Sequence, residues 1–329
     1  MTLRTRRIIL CFVFLLFVFA APAILFYSWG YGFDWQKKKP VLTGGFYFES
    51  IPKKAQIALN DKPSKETPVF IKRLLPGEYQ VKITKDEFQP WQKKLKIESG
   101  LVGEARNILL IPLSPQIEVI DENLPDDFSL EKFLLQEKTN TDIFYIEKQN
   151  YILYKTNANN SAQEQICLTP LPAQEYSIII SPSQKISVLG ENNEMYLLNP
   201  ETKAFELIAR DVQNVQFSSD NKKVLYSTPN EIWVYYLEDI LGQPNKKARD
   251  KELITRLGEK IKNAVWYGKT NEHIIFSTGQ TIKIAELDGR DERNITDIIK
   301  LNADQIAYNP KEETILAVKN KKLIQISLK

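Results

Sequence analysis

Residues 214–228 read NVQFSSDNKKVLYST: an apolar run, a polar cluster holding Ser218, Asp220 and Lys223, and a second apolar run. The cluster has the residue types of a nucleophile, an orienting acid and a base, and equally those of a turn between two strands. The rest of the chain decides between them. AVWYGKTNEHIIFST (264–278) and DIFYIEKQNYILYKT (142–156) align with it without a gap, QIAYNPKEETILAV (305–318) also fits, and IIISPSQKISVLG (178–190) fits with one deletion. Opposite Phe217 stand Tyr145, Ile180, Tyr267 and Tyr308, all large and apolar. Opposite Asp220 stand Lys148, Ser183, Thr270 and Lys311, which share no chemistry. What recurs is strand, turn, strand, and a Ser-Asp-Lys site has no support outside one copy.

The copies continue into a third apolar run, in EMYLLN (194–199), EIWVYYL (231–237), TIKIAEL (281–287) and KLIQISL (322–328). AFELIA (204–209), KELITRL (251–257) and RNITDII (293–299) then supply a fourth. Four antiparallel strands repeated at this spacing are the signature of a propeller blade. FSSDNKKVLYSTPNEIWVYYLED (217–239) and AELDGRDERNIT (285–296) resemble the repeats of the propeller in Tol-system translocation proteins and its WD-type relatives. Ser219 stands where those repeats usually carry proline and Asn221 where they carry glycine; Asn also tolerates the left-handed turn geometry. The last copy stops after its third run, and QIEVIDENL (116–124) resembles the fourth strands. Residues 114–329 are therefore expected to form a propeller of about five blades, closed by 116–124 pairing with the C-terminal blade. FSLEKFLLQEK, within 125–141, matches no copy and leaves room for a sixth, degenerate blade.

Upstream, proline and glycine clusters cut residues 44–113 into short runs: GGFYFES, AQIALND, TPVFIKRL, EYQVKITK, WQKKLKIES and EARNILLIPL. Tyr79, Val81 and Ile83 alternate with Gln80, Lys82 and Thr84, the period of a strand buried on one face. Such strands imply a small β-sandwich. SIPKKAQIALNDKP, the pair Thr67-Pro68, the turn at Pro76-Gly77, and Phe88 with Trp91 together resemble the PEGA domain, with Pro76-Gly77-Glu78-Tyr79 in place of the literal motif. The resemblance implies an extracytoplasmic module with a surface- or envelope-binding role. Pro76 is expected to preset a turn in which Gly77 takes a positive φ. Phe88 and Trp91 read as core residues, because large aromatics dominate burial in small domains.

No charged residue occurs from Ile8 to Phe33, and IILCFVFLLFVFAAPAILFY (8–27) is almost wholly apolar. Twenty such residues, at ~1.5 Å each, span the ~30 Å hydrocarbon layer. Arg4, Arg6 and Arg7 precede the run, and Tyr27, Trp29, Tyr31 and Trp35 follow it at the depth where amphipathic rings favour the interface. A cleaved signal peptide ending at Ala21-Pro22-Ala23 is the competing reading, but Ile24–Tyr27 continue the apolar run past that site, which favours an uncleaved anchor. Either way the rest of the chain is exported. Lys37, Lys38 and Lys39 nearly balance the three arginines, so orientation rests partly on the PEGA resemblance, which places the N-terminus in the cytoplasm. The expected order is a cytoplasmic tail at 1–7, a transmembrane anchor at 8–30, a linker at 31–43, the PEGA-like sandwich at 44–113 and the propeller at 114–329.

Arg4, Arg6 and Arg7 also supply the whole +3 net charge, since residues 8–329 carry 41 basic and 41 acidic side chains. A neutral body shows no basic surplus that could hold many phosphates, so nucleic acid is not an expected partner. Two cysteines, Cys11 and Cys167, are not expected to pair and have no zinc-ligand spacing. The only histidine, His273, aligns with Lys223 next to a turn and reads as solvated. Asp288, Asp291 and Glu292 read as turn residues, because alternate-position calcium ligands would have to include Arg290. No catalytic, cofactor-binding or metal residue is assigned and no cofactor is expected. The reading is a non-enzymatic, membrane-anchored binding or scaffold protein of the cell envelope, recognising a protein or a surface glycan. Its candidate contact is the long loop 238–250 (EDILGQPNKKARD), through Lys246, Lys247, Arg249 and Asp250. The alternative is a glycan hydrolase with carboxylates such as Glu194, Glu231 and Asp142 in the propeller channel.

Overall fold

The computed structural model describes residues 3–135, 142–157 and 163–328. It divides into two units, Met1–Leu110 and Ile111–Lys329.

The first unit opens with a 26-residue helix, Leu3–Ser28, none of whose residues is buried. Gly30, at φ +87°, ends it: the Gly30 N–H reaches the Tyr27 carbonyl, a left-handed cap that glycine adopts without Cβ strain. Residues 31–43, expected as a linker, instead form a hairpin of Tyr31–Asp34 with Lys39–Leu42. Thr43 closes it by donating its N–H and its hydroxyl to the Gly30 carbonyl. These strands are four residues each and carry no long apolar alternation, so periodicity does not reveal them.

Two sheets follow. One orders Val69–Leu74, Gly44–Ile51 and Val102–Leu109, with the last pair parallel; the other orders Lys62–Glu66, Gln56–Leu59, Gly77–Thr84 and Trp91–Ile97. Phe46, Phe48, Ile57, Val81, Ile83, Trp91, Leu95 and Ile97 fill the space between them, and Phe88 packs on that core. Lys62–Glu66 is exposed at every position and was not visible as an apolar run; its lysines and proline suit an unpaired sheet edge. Gly77 lies at φ 159°, which is extended backbone, so the turn does not use its freedom. The left-handed residue nearby is Arg73, φ 60°, the extra residue of a bulge opposite Gly44 and Gly45.

The second unit is a β-propeller. Its described residues form five sheets, and three of them run in strict chain order from inner to outer strand: residues 176–209, 214–256 and 263–299. The C-terminal sheet takes Gln305–Asn309, Thr314–Lys319 and Lys322–Ser327 and receives Gln116–Asp121 as its outer strand, antiparallel to Lys322–Ser327. This pairing joins the start of the unit to its end by a hydrogen-bonded ladder.

The sheet of 142–165 departs from the repeat alignment. Aligned by sequence, its hairpin occupies the first-and-second-strand role; the structure gives it the second-and-third. In three of the other four sheets the backbone that follows the outer strand is fastened to the turn between second and third strands: Val212 N–H to Asn193 C=O, Ile261 N–H to Pro229 C=O, Leu124 N–H to Lys321 C=O. The corresponding bond here runs from Leu171 N–H to Tyr151 C=O, in the turn of the 142–157 hairpin. The hairpin also runs opposite to its neighbour, since Lys148 at its turn pairs with Glu175 before the next sheet, and Asp142 at its start receives Gln184 from that sheet's turn. Beside the inner strand Gln305–Asn309 stands the short helix Leu130–Leu135. Leu130 donates its N–H to Gln305 Oε1 at 2.9 Å, Gln305 Nε2 returns a bond to Phe128 C=O, and Leu130 packs on Ala307, Leu316 and Leu323. Every hairpin of a blade shares one apolar-polar-apolar pattern, so alignment cannot tell which pair of strands it is. Of the segment that matched no copy, residues 128–135 thus include this helix, and 136–141 lie outside the described residues.

Candidate functional site

Side-chain chemistry in the propeller concentrates at the seams between sheets and in the loop 238–250. At the turn that follows each inner strand the repeat places a left-handed residue, and in two sheets it is asparagine: Asn221 (φ 59°) and Asn271 (φ 54°). Each accepts a backbone N–H from the preceding sheet's turn, Asn221 from Ser183 and Asn271 from Ser219, both at 3.2 Å. The inner strands are tied in the same sense: Asn214 Nδ2 donates to Ala264 C=O at 2.6 Å, and Gln216 Oε1 accepts the Trp266 N–H at 2.9 Å.

Ser218, Asp220 and Lys223 belong to this seam. The Ser218 hydroxyl donates to Asp220 and accepts the Lys223 N–H at 3.0 Å, and Ser218 is fully buried. This is the hydrogen bonding of a tight turn, with the hydroxyl spent on its own backbone. Lys223 is 1% exposed; its ammonium pairs with Glu272 of the next sheet at 2.6 Å and lies 5.9 Å from the centre of the Trp266 ring. Burial pushes the Glu272 carboxyl up, and Lys223 pulls against it.

His273 is the counterpart of Lys223 and is also buried, which corrects the solvated reading. Its ring lies edge-on to Tyr267, Nδ1 is 3.0 Å from the Thr270 hydroxyl, and burial lowers its pKa to about 3. The unfolded chain takes up this proton below about pH 6.5 while the folded one does not until about pH 3, so stability falls as pH drops between those values. His273→Gln is expected to remove that part of the acid slope, a difference of about 2 kcal/mol between pH 7 and pH 5 in urea unfolding. Equal slopes in the two proteins would contradict the burial.

The carboxylates weighed for hydrolysis have structural partners. Glu194 accepts from Tyr196 Oη at 2.5 Å and from Arg210 at 2.9 Å; Glu231 accepts from Trp233 Nε1 at 2.7 Å and from Arg256 at 2.6 Å. Each stands at or one residue before the start of a third strand, receives an aromatic donor two residues on and pairs with an arginine at or one residue past the end of the fourth strand, so they form one repeated clamp. Hydrogen bonds from Tyr196 and from Trp233 hold the two carboxyls below their ordinary values, the opposite of what a proton donor to a leaving group requires. Asp142 pairs with Lys155 of its own sheet at 2.8 Å. Asp288 is held by Arg290 at 2.6 Å within its turn.

The loop 238–250 holds the sequence-selected contact residues apart. Lys246 is drawn inward onto Glu252 at 2.9 Å and over the Tyr236 ring, beside Arg293, which reaches the same carboxylate at 2.7 Å. Lys247 pairs with Asp239 at 3.1 Å, and Asp250 accepts the Lys247 N–H at 2.8 Å, so both fold the loop on itself. Arg249 leaves the loop for Glu206 of the preceding sheet at 3.2 Å. What the loop presents outward is Leu241, 90% exposed, and the open side of Gly242. An apolar residue at the tip of a charged loop was the available signal, and the emphasis on charge passed it over.

Residues 43–105 match the PEGA domain family. Among solved structures the chain is similar to the β-propeller domain of Cps50 (Swd1) from Myceliophteria thermophila at 10% identity, TM-score 0.42, covering 82% of this chain and 87% of that one. It is similar to YCF48 from Cyanidioschyzon merolae at 10% identity, TM-score 0.41, covering 84% and 96%. A gluconolactonase from Xanthomonas campestris is similar over 57% of this chain and 69% of its own, at 10% identity and TM-score 0.38. No curated protein matches the chain. The chain thus combines a PEGA domain with a β-propeller, an architecture suited to binding or scaffolding; sheet order and seams define the propeller.

Proposed function

We propose that this protein is a single-pass, membrane-tethered binding protein whose PEGA domain and propeller stand outside the cytoplasmic membrane, with residues 1–7 in the cytoplasm and 8–30 as the anchor. The observation that carries this reading is a division of labour along the chain. The 26-residue apolar helix buries nothing within the protein, while the propeller groups singled out for chemistry are engaged in its own turns, seams and clamps. A helix of that length, at ~1.5 Å per residue, exceeds the ~30 Å apolar layer. A rigid ring that engages these groups within itself suits recognition by surface loops.

The partner is an envelope protein or surface glycan, met at the face of the loop 238–250. Leu241 at the tip and Lys247 on its flank make first contact, and Lys246, Arg249 and Asp250 hold the loop in shape. Capture of envelope components by the full chain in detergent, quantified against Leu241→Asp, tests this. The variant is expected to lose at least tenfold in capture with its unfolding midpoint unchanged, since Leu241 is 90% exposed. Equal capture by the two proteins contradicts the assignment. A glycan hydrolase would instead release reducing ends in a reaction that Glu231→Gln abolishes.

A further inference from the structure

The hairpin Tyr31–Leu42 has no part in the binding reading, yet it is the most unusual surface of the first unit. It does not lead away from the helix. Tyr31 packs edge-on against Phe26 of the helix at 5.5 Å between ring centres, and Phe26 also meets Trp29 at 6.2 Å. Arg73, turned outward by its bulge, lays its guanidinium 3.3 Å from the centre of the Tyr27 ring. The end of the helix, the hairpin and one corner of the sandwich are therefore fixed together.

Within that fixed group the chemistry is sorted. Trp35 is 81% exposed and Trp29 64%, with Phe33 edge-on to Trp35 at 4.7 Å. Asp34 is buried beneath them and accepts the N–H groups of Gln36 at 3.0 Å and Lys37 at 3.1 Å. These bonds set the turn that carries Lys37, Lys38 and Lys39, all exposed, with Lys38 at φ 51°. Exposed indole and phenyl rings next to four cations, at the mouth of an apolar helix, have the composition of a bilayer interface: rings at the level of glycerol and carbonyls, cations at the phosphates.

We propose that the hairpin is a phospholipid-binding element, seated in the head-group layer of the membrane that the helix crosses and selective for anionic lipid through Lys37, Lys38, Lys39 and Arg73. The inference rests on the anchor reading. Two observations commit the surface to lipid. The hairpin packs on the last turns of the apolar helix, so its exposed face is continuous with the lipid-facing surface and cannot leave the interface while the helix spans. Its charge is complementary to phosphate, with the one carboxylate of the element, Asp34, spent on the turn and on Lys37 at 3.6 Å. The lysines after the helix then contact head groups on the outer side, which accounts for their opposing the arginine bias before it.

The test uses the full chain in vesicles of phosphatidylcholine with or without one-third phosphatidylglycerol, carrying bromine on the acyl chains of one lipid at a time. The Trp35 contribution is the difference in emission between the wild type and Trp35→Tyr. It is expected to be quenched at least twofold by brominated lipid and shielded from aqueous acrylamide. Brominated phosphatidylglycerol should quench more strongly than brominated phosphatidylcholine at equal mole fraction, and that preference should vanish in Lys37→Gln/Lys38→Gln/Lys39→Gln. Trp35 emission open to acrylamide and indifferent to bromine, in protein that stays with the vesicles through an alkaline carbonate wash, overturns the hairpin proposal and leaves the anchor standing. Quenching with no lipid preference overturns the anionic selectivity. Protein that the wash removes from the vesicles overturns the anchor, and the hairpin proposal with it.

Discussion

Deleting Gln116–Asp121 from the full chain is expected to lower the propeller's unfolding midpoint by about 10–20 °C and to turn a soluble unit into an aggregating one. The six residues are exposed at every position, so little apolar burial is lost. The loss is the ladder: five registered pairs join this strand to Lys322–Ser327, from Gln116 opposite Ser327 to Asp121 opposite Leu323. At a net ~1 kcal/mol per backbone hydrogen bond, such a ladder is worth ~5 kcal/mol. Its removal also uncovers the edge of Lys322–Ser327, whose Leu323, Ile324 and Ile326 are buried, and an uncovered apolar edge pairs with other chains. A permuted chain with residues 111–124 moved behind Leu328 through a short linker should regain the midpoint, because the ladder needs the strand and not its place in the sequence. A midpoint unchanged by the deletion, or unrestored by the permutation, contradicts closure by this strand.

The second large effect is expected from one side chain. Lys223→Ala should cost about 3 kcal/mol, the lower end for breaking a buried pair, since Glu272 keeps about a third of its side chain in water. The variant leaves a carboxylate facing Trp266 and the neighbouring turn with no cation, and it removes the stem that fills the seam. Lys223→Met should cost less, because it restores the volume, and Lys223→Met/Glu272→Gln should recover most of the loss, because the nearer charge is gone and only Asp220, 3.7 Å from the ammonium and about a third exposed, loses a partner. The pH dependence separates charge from packing. Burial raises the folded-state value for Glu272, and losing Lys223 raises it further. A carboxyl whose folded value exceeds its unfolded one adds stability below the unfolded value and loses it as pH rises through the folded one. The deficit of Lys223→Ala should therefore shrink on acidification toward pH 4. A deficit constant with pH would assign the whole effect to packing.

These two predictions mark where sequence reasoning reached and where it stopped. The pairing of 116–121 was legible because a fourth strand was missing at one end of the repeat and a strand of the same character was spare at the other. The turn at 218–223 was legible because five related segments share its outline and not its chemistry. Burial of Lys223 and His273 was not: Lys223 meets Glu272 and Trp266 of the adjacent sheet, and a local pattern holds no information about a neighbour some 50 residues away. The hairpin 142–157 was assigned the wrong strands for a related reason: apolar-polar-apolar alternation is the same for every hairpin of a blade, and only the bond from Leu171 to Tyr151 fixes its role. In the loop 238–250 charge drew attention to residues that the fold consumes, while Leu241 carried the surface. The interfacial hairpin escaped because its strands are too short for periodicity and its lysines resembled a topology signal.

The most direct test of the tethered arrangement is protease accessibility of the full chain, tagged at its C-terminus, in intact spheroplasts and in inverted membrane vesicles. The tag should be digested from spheroplasts, protected in inverted vesicles, and found in the membrane pellet after an alkaline carbonate wash. A tag protected in intact spheroplasts, or a protein released by the wash, would contradict an anchored propeller held outside the cytoplasmic membrane.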